Sequence, residues 1–209
     1  MKSVFPSPTA ALILIALVAA SSFSMAQQYR VQMDDPQFGD LLSPDVNGKT
    51  TLKKFKQKQW LEVEVKMKIE SSDKNEAFAD RVAIRWYVAV NVTENGQTRP
   101  RVIEKEVNYV NVPFNEDIYV SVYLSPTAVK RISGRDRAGA RVIEGTAGEI
   151  TVNGTTPYQN SGKFSTLPAS KGDWWNALPR YNKIPLRNKN ETPFKFFWWD
   201  RYAEIEERR

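Results

Sequence analysis

The sequence predicts an all-β protein, and within that class an immunoglobulin-like β-sandwich of about seven strands. Several segments alternate apolar and polar residues, as residues 60–70 do, and this pattern is typical of strands with one buried and one solvated face. Asn95-Gly96 and Asn153-Gly154 are turn signals between such segments. The sequence shows no βαβ pattern and no Gly-rich phosphate loop. Short strands joined by turns, with one short helix, are typical of a sandwich.

A signal peptide is predicted over residues 1–26. Lys2 gives a positive start, residues 10–20 are uncharged and apolar, and Ser24-Met25-Ala26 has the small-x-small pattern of a cleavage site. The apolar run is shorter than the roughly 20 residues that a membrane span needs. We therefore expect an exported chain that begins at Gln27 and has no transmembrane span after cleavage; an uncleaved N-terminal anchor is the alternative.

An extended N-terminal arm is predicted for residues 27–46, because this stretch has no sustained periodicity and contains several turn-forming residues. The sandwich is predicted over residues 47–157, beginning with a strand near residues 50–55. In the next strand, residues 60–70, five apolar residues alternate with five charged ones. A helix would scatter these residues around its circumference.

The middle of the sandwich is predicted from three further strands. Residues 82–92 alternate with Trp86 on the apolar face, which favours a core position for this tryptophan. The Asn95-Gly96 turn leads into a strand over residues 101–112, and another follows over residues 118–124.

One short helix is predicted over residues 127–132. Ser125 and Pro126 stand at its start, and serine is a favoured N-cap while proline suits the first helical position. Two last strands are expected over residues 141–144 and 149–155.

Residues 158–209 are a predicted C-terminal tail of different composition. The tail holds four of the six tryptophans, too many large apolar groups for a disordered segment. Its prolines exclude a long helix before residue 193, although residues 200–208 could form a final helical turn or two. We expect an irregular tail that packs on the sandwich and buries Phe194, Phe196, Trp198 and Tyr202.

The composition argues against an enzyme. The chain has no His and no Cys, which excludes a Ser-His-Asp triad, a thiolate nucleophile, a disulfide and the usual zinc sites. The neighbouring carboxylates Asp34/Asp35 and Glu104/Glu106 lie on exposed segments rather than across the cleft that a glycosidase needs. No calcium-loop pattern is present. We therefore predict no catalytic residue, no cofactor and no metal.

The charge pattern does not indicate a nucleic-acid partner. The formal net charge is +6, from 30 basic and 24 acidic residues. Because the two signs are interleaved rather than gathered in one basic stripe, they indicate a solvated surface.

The tail tryptophans are the candidate binding residues. Exposed Trp and Tyr rings can stack on sugars, whereas buried rings fill a core. Neighbouring residues in an irregular segment point to opposite sides, so one member of each tryptophan pair is expected to be buried and the other exposed. Three interpretations stay open: packing of the tail on the sandwich, binding of a partner protein, and sugar binding. The candidate partner-binding or tail-docking residues are Trp174, Trp175, Trp198, Trp199 and Tyr202.

Three blocks of the sequence resemble one family. Two are the strand segments 55–65 and 85–90. The third and most specific is the tail, which reads Trp174-Trp175-x-x-Leu178-Pro179, then Leu186-x-Asn188-Lys189-x-x-Thr192-Pro193-Phe194, then Trp198-Trp199-Asp200-Arg201-Tyr202. Together, over most of residues 50–205, these blocks are similar to the pilus-like immunoglobulin-fold proteins of Verrucomicrobia, which are encoded beside type IV pilus assembly components.

The resemblance implies an accessory or surface component of a type IV pilus-like system that acts through protein–protein contacts. It implies other pilus or envelope proteins as partners, and a location in the periplasm, at the outer membrane or on the cell surface. A carbohydrate-binding or adhesion module, with glycans or a host surface as its partner, is the alternative. The leader departs from a type IV pilin, because polar residues Gln27 to Arg30 stand where a pilin has a long apolar helix. The chain is therefore not expected to polymerise as a major pilin does.

Overall fold

In the computed structural model, which describes residues 29–45, 56–137 and 139–207, the chain forms two antiparallel sheets packed face to face. This confirms the predicted all-β sandwich; the immunoglobulin-like topology stays a prediction. The predicted signal peptide and the strand expected near residues 50–55 lie outside the described residues. The strands are β1 (Tyr29–Met33), β2 (Gln37–Leu42), β3 (Gln59–Ser71), β4 (Phe78–Glu94), β5 (Gln97–Pro113), β6 (Asp117–Leu124), β7 (Ile143–Val152), β8 (Lys163–Ser165), β9 (Arg187–Asn188) and β10 (Glu204–Ile205).

Sheet A contains β1, β2, β3, β6 and β9. β1 and β2 pair with successive halves of one edge of β3, with Val31 opposite Ile69 and Phe38 opposite Val63. The predicted extended arm, residues 27–46, therefore contributes two short strands to sheet A, β1 and β2. The sequence shows no long alternation of apolar and polar residues here, because residues 34–36 separate two short strands along this edge of sheet A.

Sheet B has the order β10-β5-β4-β7-β8. β4 and β5 form a long hairpin whose turn is Asn95-Gly96, with φ of 52° and 74°. Both residues are left-handed, as a two-residue turn of this type requires, and the predicted hairpin is confirmed. β7 is one strand where two were predicted.

Two glycines within β7 explain why the sequence pattern predicts two strands where the structure has one. A Cβ on Gly148 would lie 2.2 Å from the Phe164 ring, and one on Gly145 would lie 3.1 Å from the Trp174 ring. These glycines therefore make room for rings of the tail on the two faces of the sheet rather than interrupting the strand.

The predicted helix is confirmed as α1 (Pro126–Ser133). The Ser125 side chain accepts a hydrogen bond from the Ala128 amide at 3.2 Å, and Pro126 occupies the first turn. Gly134, with φ of 70°, ends the helix in the left-handed conformation that glycine tolerates.

The main core lies between the two sheets. Alternate residues of β3 and β4 fill it, as the period of two predicts, and Trp86 is fully buried there in a T-shaped contact with the Phe164 ring. Among the described residues, no helix is long and apolar enough to cross a membrane.

The tail is more regular than predicted. It contributes β8 and β10 to sheet B and β9 to sheet A, and it forms one short helix, α2 (Trp174–Ala177). Residues 199–201 form a 3₁₀ turn, which β10 then follows, so the helical turns expected over residues 200–208 are only partly present. The tail therefore completes edges of both sheets and covers their outer faces.

Candidate functional site

The outer face of sheet B is covered by the first tryptophan pair. Trp175 stacks on Tyr87 with ring centroids 5.7 Å apart, and Trp174 packs edge-on against Trp175 at the same separation. The Trp174 indole N–H donates to the Ser165 hydroxyl at 2.9 Å. Both tryptophans are buried, at 7% and 2% exposure, in a small second core with Ala89 and other residues of sheet B.

Arg180 fixes this segment to the edge strand β5. Its Nε lies 2.6 Å from a Glu104 carboxylate oxygen, and its guanidinium lies 5.1 Å from the Tyr87 ring centroid. Val102 exchanges backbone hydrogen bonds with Pro179 and Tyr181 at 3.0 and 2.8 Å. The first tryptophan pair is thus tail-docking structure, since neither ring is available to a partner.

The outer face of sheet A carries a buried polar cluster. Glu62 on β3 is 8% exposed, and its Oε1 accepts hydrogen bonds from Tyr123 at 2.6 Å and from Tyr202 of the tail at 3.0 Å. The Ser121 hydroxyl donates to the Tyr123 oxygen at 2.9 Å. Burial raises the pKa of Glu62, and the nearby Glu64 carboxylate adds to this, while the two tyrosine hydroxyls oppose it.

Arg201 and Tyr202 dock the end of the tail on this cluster. Arg201 pairs with Glu64 at 2.6 Å, and its guanidinium carbon lies 3.9 Å above the Tyr119 ring centroid. The Tyr202 hydroxyl also bonds Glu64. Burial raises the pKa of Tyr202, and its hydrogen bond to Glu64 raises it further. The phenol therefore stays protonated and can donate its hydrogen bonds.

Lys189 and Phe194 anchor the segment that precedes Arg201. Lys189 is 4% exposed, and its ammonium donates to the Phe197 carbonyl at 2.5 Å and lies 4.8 Å from the Tyr202 ring centroid. Desolvation lowers the pKa of Lys189. Phe194 is 2% exposed and stacks on Tyr123 at 5.8 Å.

Between these anchors, residues Phe196–Trp199 form a run of four aromatic side chains on the surface, which we call the aromatic patch. Their exposures are 77%, 43%, 50% and 55% along the chain. Trp198 has a φ of 53°, a conformation that is uncommon for a bulky residue and is kept only where surrounding contacts impose it. One such contact is the Trp198 ring stacked on Phe194 at 6.2 Å. The patch is therefore an ordered surface and not a loose loop.

The sequence prediction that one member of each tryptophan pair is buried is wrong. Both Trp174 and Trp175 are buried, and both Trp198 and Trp199 are half-exposed. Burial of Phe194 is confirmed, whereas Phe196 is the most exposed of the large apolar residues that the structure describes. The reason is local geometry: α2 and the 3₁₀ turn at residues 199–201 do not alternate side chains as an extended segment would.

Two groups of residues were missed by sequence reasoning. Phe196 and Phe197 belong to the exposed surface, and the unbroken aromatic run from Phe196 to Trp199 was the signal that could have shown it. Glu62 and Lys189 look like ordinary surface charges in the sequence, and only the docked tail buries them.

One protein-family model matches residues 22–209, and the chain belongs to that family. A crystal structure of a protein from Akkermansia muciniphila, a member of the Verrucomicrobia, matches the fold with a TM-score of 0.76 at 31% sequence identity. The match covers 87% of this chain and 95% of the Akkermansia chain, so the two proteins share a family. The curated proteins contain no match to this chain.

Proposed function

We propose that the protein is a non-enzymatic, exported accessory or surface component of a type IV pilus-like system, and that the aromatic patch is the surface with which it binds another pilus or envelope protein. The observation that carries the proposal is the patch itself. Contiguous exposed apolar surface is uncommon on a soluble domain and marks interaction sites. Aromatic rings are also the side chains that contribute most to protein–protein binding.

The surroundings of the patch support a binding role. Lys189 and Phe194 hold it from below, so the rings are ordered before a partner arrives and binding loses less conformational entropy. Charged groups lie at its rim, with Lys195 at 5.6 Å from the Phe196 ring centroid. An apolar centre with a charged rim is the usual anatomy of a protein interface.

The non-enzymatic part of the proposal has support from the carboxylates. Glu104 is paired with Arg180 and Glu106 with Arg85, at 2.6 and 2.9 Å, on the outer face of sheet B. A general acid and a general base need different pKa values, and therefore different local environments. Two carboxylates that are both held in exposed ion pairs do not meet this condition.

Site-specific photo-crosslinking tests the proposed surface. A photoreactive phenylalanine analogue at Trp199 is expected to crosslink to a pilus-assembly or envelope protein in cells that make this protein, identified by mass spectrometry. The matched control places the analogue at Phe78, which is 57% exposed and lies at the start of β4, outside the patch. Excess wild-type protein should compete for the crosslink, and the double variant Trp198→Ala/Trp199→Ala should not.

Equal crosslinking from Trp199 and Phe78 would contradict the proposed surface. Saturable binding to a glycan array that disappears in the double variant would instead favour the carbohydrate-binding function. The export proposal is tested separately, since N-terminal mass spectrometry of the secreted form should find Gln27 as the first residue.

A further inference from the structure

The buried polar cluster on the outer face of sheet A has more contacts between oxygen atoms than its hydroxyl groups have hydrogens. Four contacts are short enough for a hydrogen bond, and they join Ser121 to Tyr123, Tyr123 to Glu62, and Tyr202 to both Glu62 and Glu64. Each of these bonds needs one hydrogen between its two oxygens, and the three hydroxyl groups carry one each. One hydrogen is therefore missing when both glutamates are ionised.

The shortage falls on Tyr202, whose single hydroxyl hydrogen faces two carboxylates. A proton on one carboxyl group removes it, because a protonated carboxyl donates a hydrogen bond as well as accepting one. Glu62 is the better place for this proton, since it is only 8% exposed and an isolated buried charge is costly. Glu64 has a positive partner instead, because Arg201 pairs with it at 2.6 Å.

The charges around Glu62 come from its own strand and from the tail. Glu64 on β3 disfavours a second negative charge beside it, whereas Arg201 and Lys189 of the tail favour one. β2 faces Glu62 with Gly39, which carries no charge, and β6 contributes the two hydroxyl groups already described. Burial is the largest influence, and it raises the pKa of Glu62 in spite of the two cations.

The cluster also holds the last part of the tail on sheet A. The Ala203 amide, next to Tyr202, donates to the Tyr119 carbonyl at 3.0 Å. If Glu62 loses its proton, two negative charges face one tyrosine hydroxyl, and one of the contacts with Tyr202 becomes a contact between oxygens without a hydrogen. Such a contact is unfavourable, so the docked position of residues 199–205 is weakened.

Lys189 connects the cluster to the aromatic patch. Its ammonium lies 4.8 Å from the Tyr202 ring centroid and 5.9 Å from that of Trp199, and it donates to the Phe197 carbonyl. A negative charge on Glu62 attracts this ammonium and competes with the carbonyl for it. The ionisation of Glu62 therefore acts on the segment that carries the patch.

We propose that Glu62, Glu64 and Tyr202 hold one shared proton, and that release of this proton opens the end of the tail and loosens the aromatic patch. The docked tail then binds one proton more than the opened tail does. Docking is therefore complete in acid and is lost as pH rises through the folded-state titration of Glu62, with an opening equilibrium that grows by up to about tenfold per pH unit. The shared proton is independent of the proposed function, whereas its effect on partner binding rests on that function.

Amide exchange of the unmodified protein, followed by NMR from about pH 4 to 8, tests the shared proton. The protection factor of the Ala203 amide, which allows for the intrinsic effect of pH on exchange, is expected to fall about tenfold or more across this range. The Tyr181 amide, bonded to the Val102 carbonyl at 2.8 Å, is the internal control on sheet B and should keep its protection. The carboxyl carbon signal of Glu62 should titrate over the same pH interval. Equal protection of Ala203 at both ends of the range, or a Glu62 carboxyl that is ionised throughout, would overturn the proposal.

Three variants separate a shared proton from simple burial of one carboxyl group. Glu62→Gln and Glu64→Gln each place a carboxamide beside Tyr202 that supplies the missing hydrogen at every pH. Both should therefore show a nearly pH-independent protection of Ala203, at a lower level in Glu64→Gln, which loses an ion pair. Glu116→Gln, at an exposed glutamate just before β6, is the matched control and should keep the wild-type pH dependence. The wild-type dependence in Glu64→Gln would refute the sharing.

Crosslinking from Trp199 tests the effect on binding. The photoreactive analogue is placed at Trp199 with and without Glu62→Gln, and the crosslinked yield is measured in acid and at neutral pH. The yield should fall with rising pH only when Glu62 is present. Equal yields at the two pH values, in a protein whose Ala203 protection does change, would refute control of the patch by the proton. Absence of any crosslink would contradict the proposed function, while the amide exchange would still decide on the shared proton.

Discussion

Two phenylalanines two positions apart in the tail should differ sharply in their effect on stability. Phe194 is 2% exposed and touches Trp60, Tyr123 and Trp198, with ring centroids 6.0, 5.8 and 6.2 Å away. Phe196 is 77% exposed. Replacing a buried phenylalanine by alanine costs roughly 3–5 kcal/mol, through lost burial and the cavity that remains. A surface substitution usually changes stability by no more than about 0.5 kcal/mol.

The expected loss for Phe194→Ala is a large part of the roughly 5–15 kcal/mol by which a domain is stable. For a chain of this length, each kcal/mol shifts the unfolding midpoint by about 2–4 °C, so a fall of roughly 6–20 °C is expected. Phe196→Ala should shift it by no more than about 2 °C.

The assay is thermal and urea unfolding of residues 27–209, followed by circular dichroism and tryptophan fluorescence. The two variants remove the same atoms from the same segment, so each serves as the control for the other. A Phe194→Ala midpoint within about 2 °C of wild type would show that the tail is not docked in solution as described. An equally large loss for Phe196→Ala would show that the patch is buried rather than exposed.

Three more predictions probe other parts of the tail contact. The folded-state pKa of Glu62 is raised, so its contribution to stability is complete below the unfolded pKa near 4.5 and is lost as pH rises through the folded pKa. Glu62→Gln should therefore gain stability relative to wild type from pH 4 to 7 in urea unfolding; a pH-independent difference would contradict this. Trp175→Ala should cost about 3–5 kcal/mol and Trp199→Ala less than about 0.5 kcal/mol, and equal losses would refute the assigned burial. Gly148→Ala should cost about 1–3 kcal/mol because its methyl group meets the Phe164 ring, and in a double-mutant cycle this cost should shrink on a Phe164→Ala background; additive effects would exclude the clash.

The parts of the fold that the sequence predicts well are those with a strong local signal. In β3 and β4 the alternation of apolar and polar side chains identifies both the strand and its buried face. A shift by one residue would place the apolar side chains on the solvent-exposed face, which is energetically unfavourable. The Asn95-Gly96 turn and the Ser125 cap are local as well, since each rests on the conformation or hydrogen bond of a few neighbouring residues.

The tail could not be predicted in the same way, because the contacts that dock it on the two sheets join residues distant in sequence. Glu62 and Tyr202 bond across 140 positions, and neither residue carries a mark of burial in its neighbourhood. Likewise, Trp174 packs against Gly145 and Trp175 against Tyr87, so both are buried by surfaces that a single segment does not reveal. Composition predicts that the tail docks, but only tertiary packing decides which rings remain exposed.

The separation of anchors from exposed rings makes stability and binding separable in this protein. Phe194 and Lys189 hold the segment that carries the aromatic patch, one by ring packing and one by its bond to the Phe197 carbonyl. Loss of an anchor should weaken both the fold and the ordered surface, whereas loss of Trp199 removes only a ring that solvent already reaches. The solvent-exposed parts of these four aromatic side chains contribute little to the stability of the fold, and Trp198 has an unfavourable backbone conformation. Exposed rings held in a strained and anchored segment are the arrangement that the proposed binding function requires.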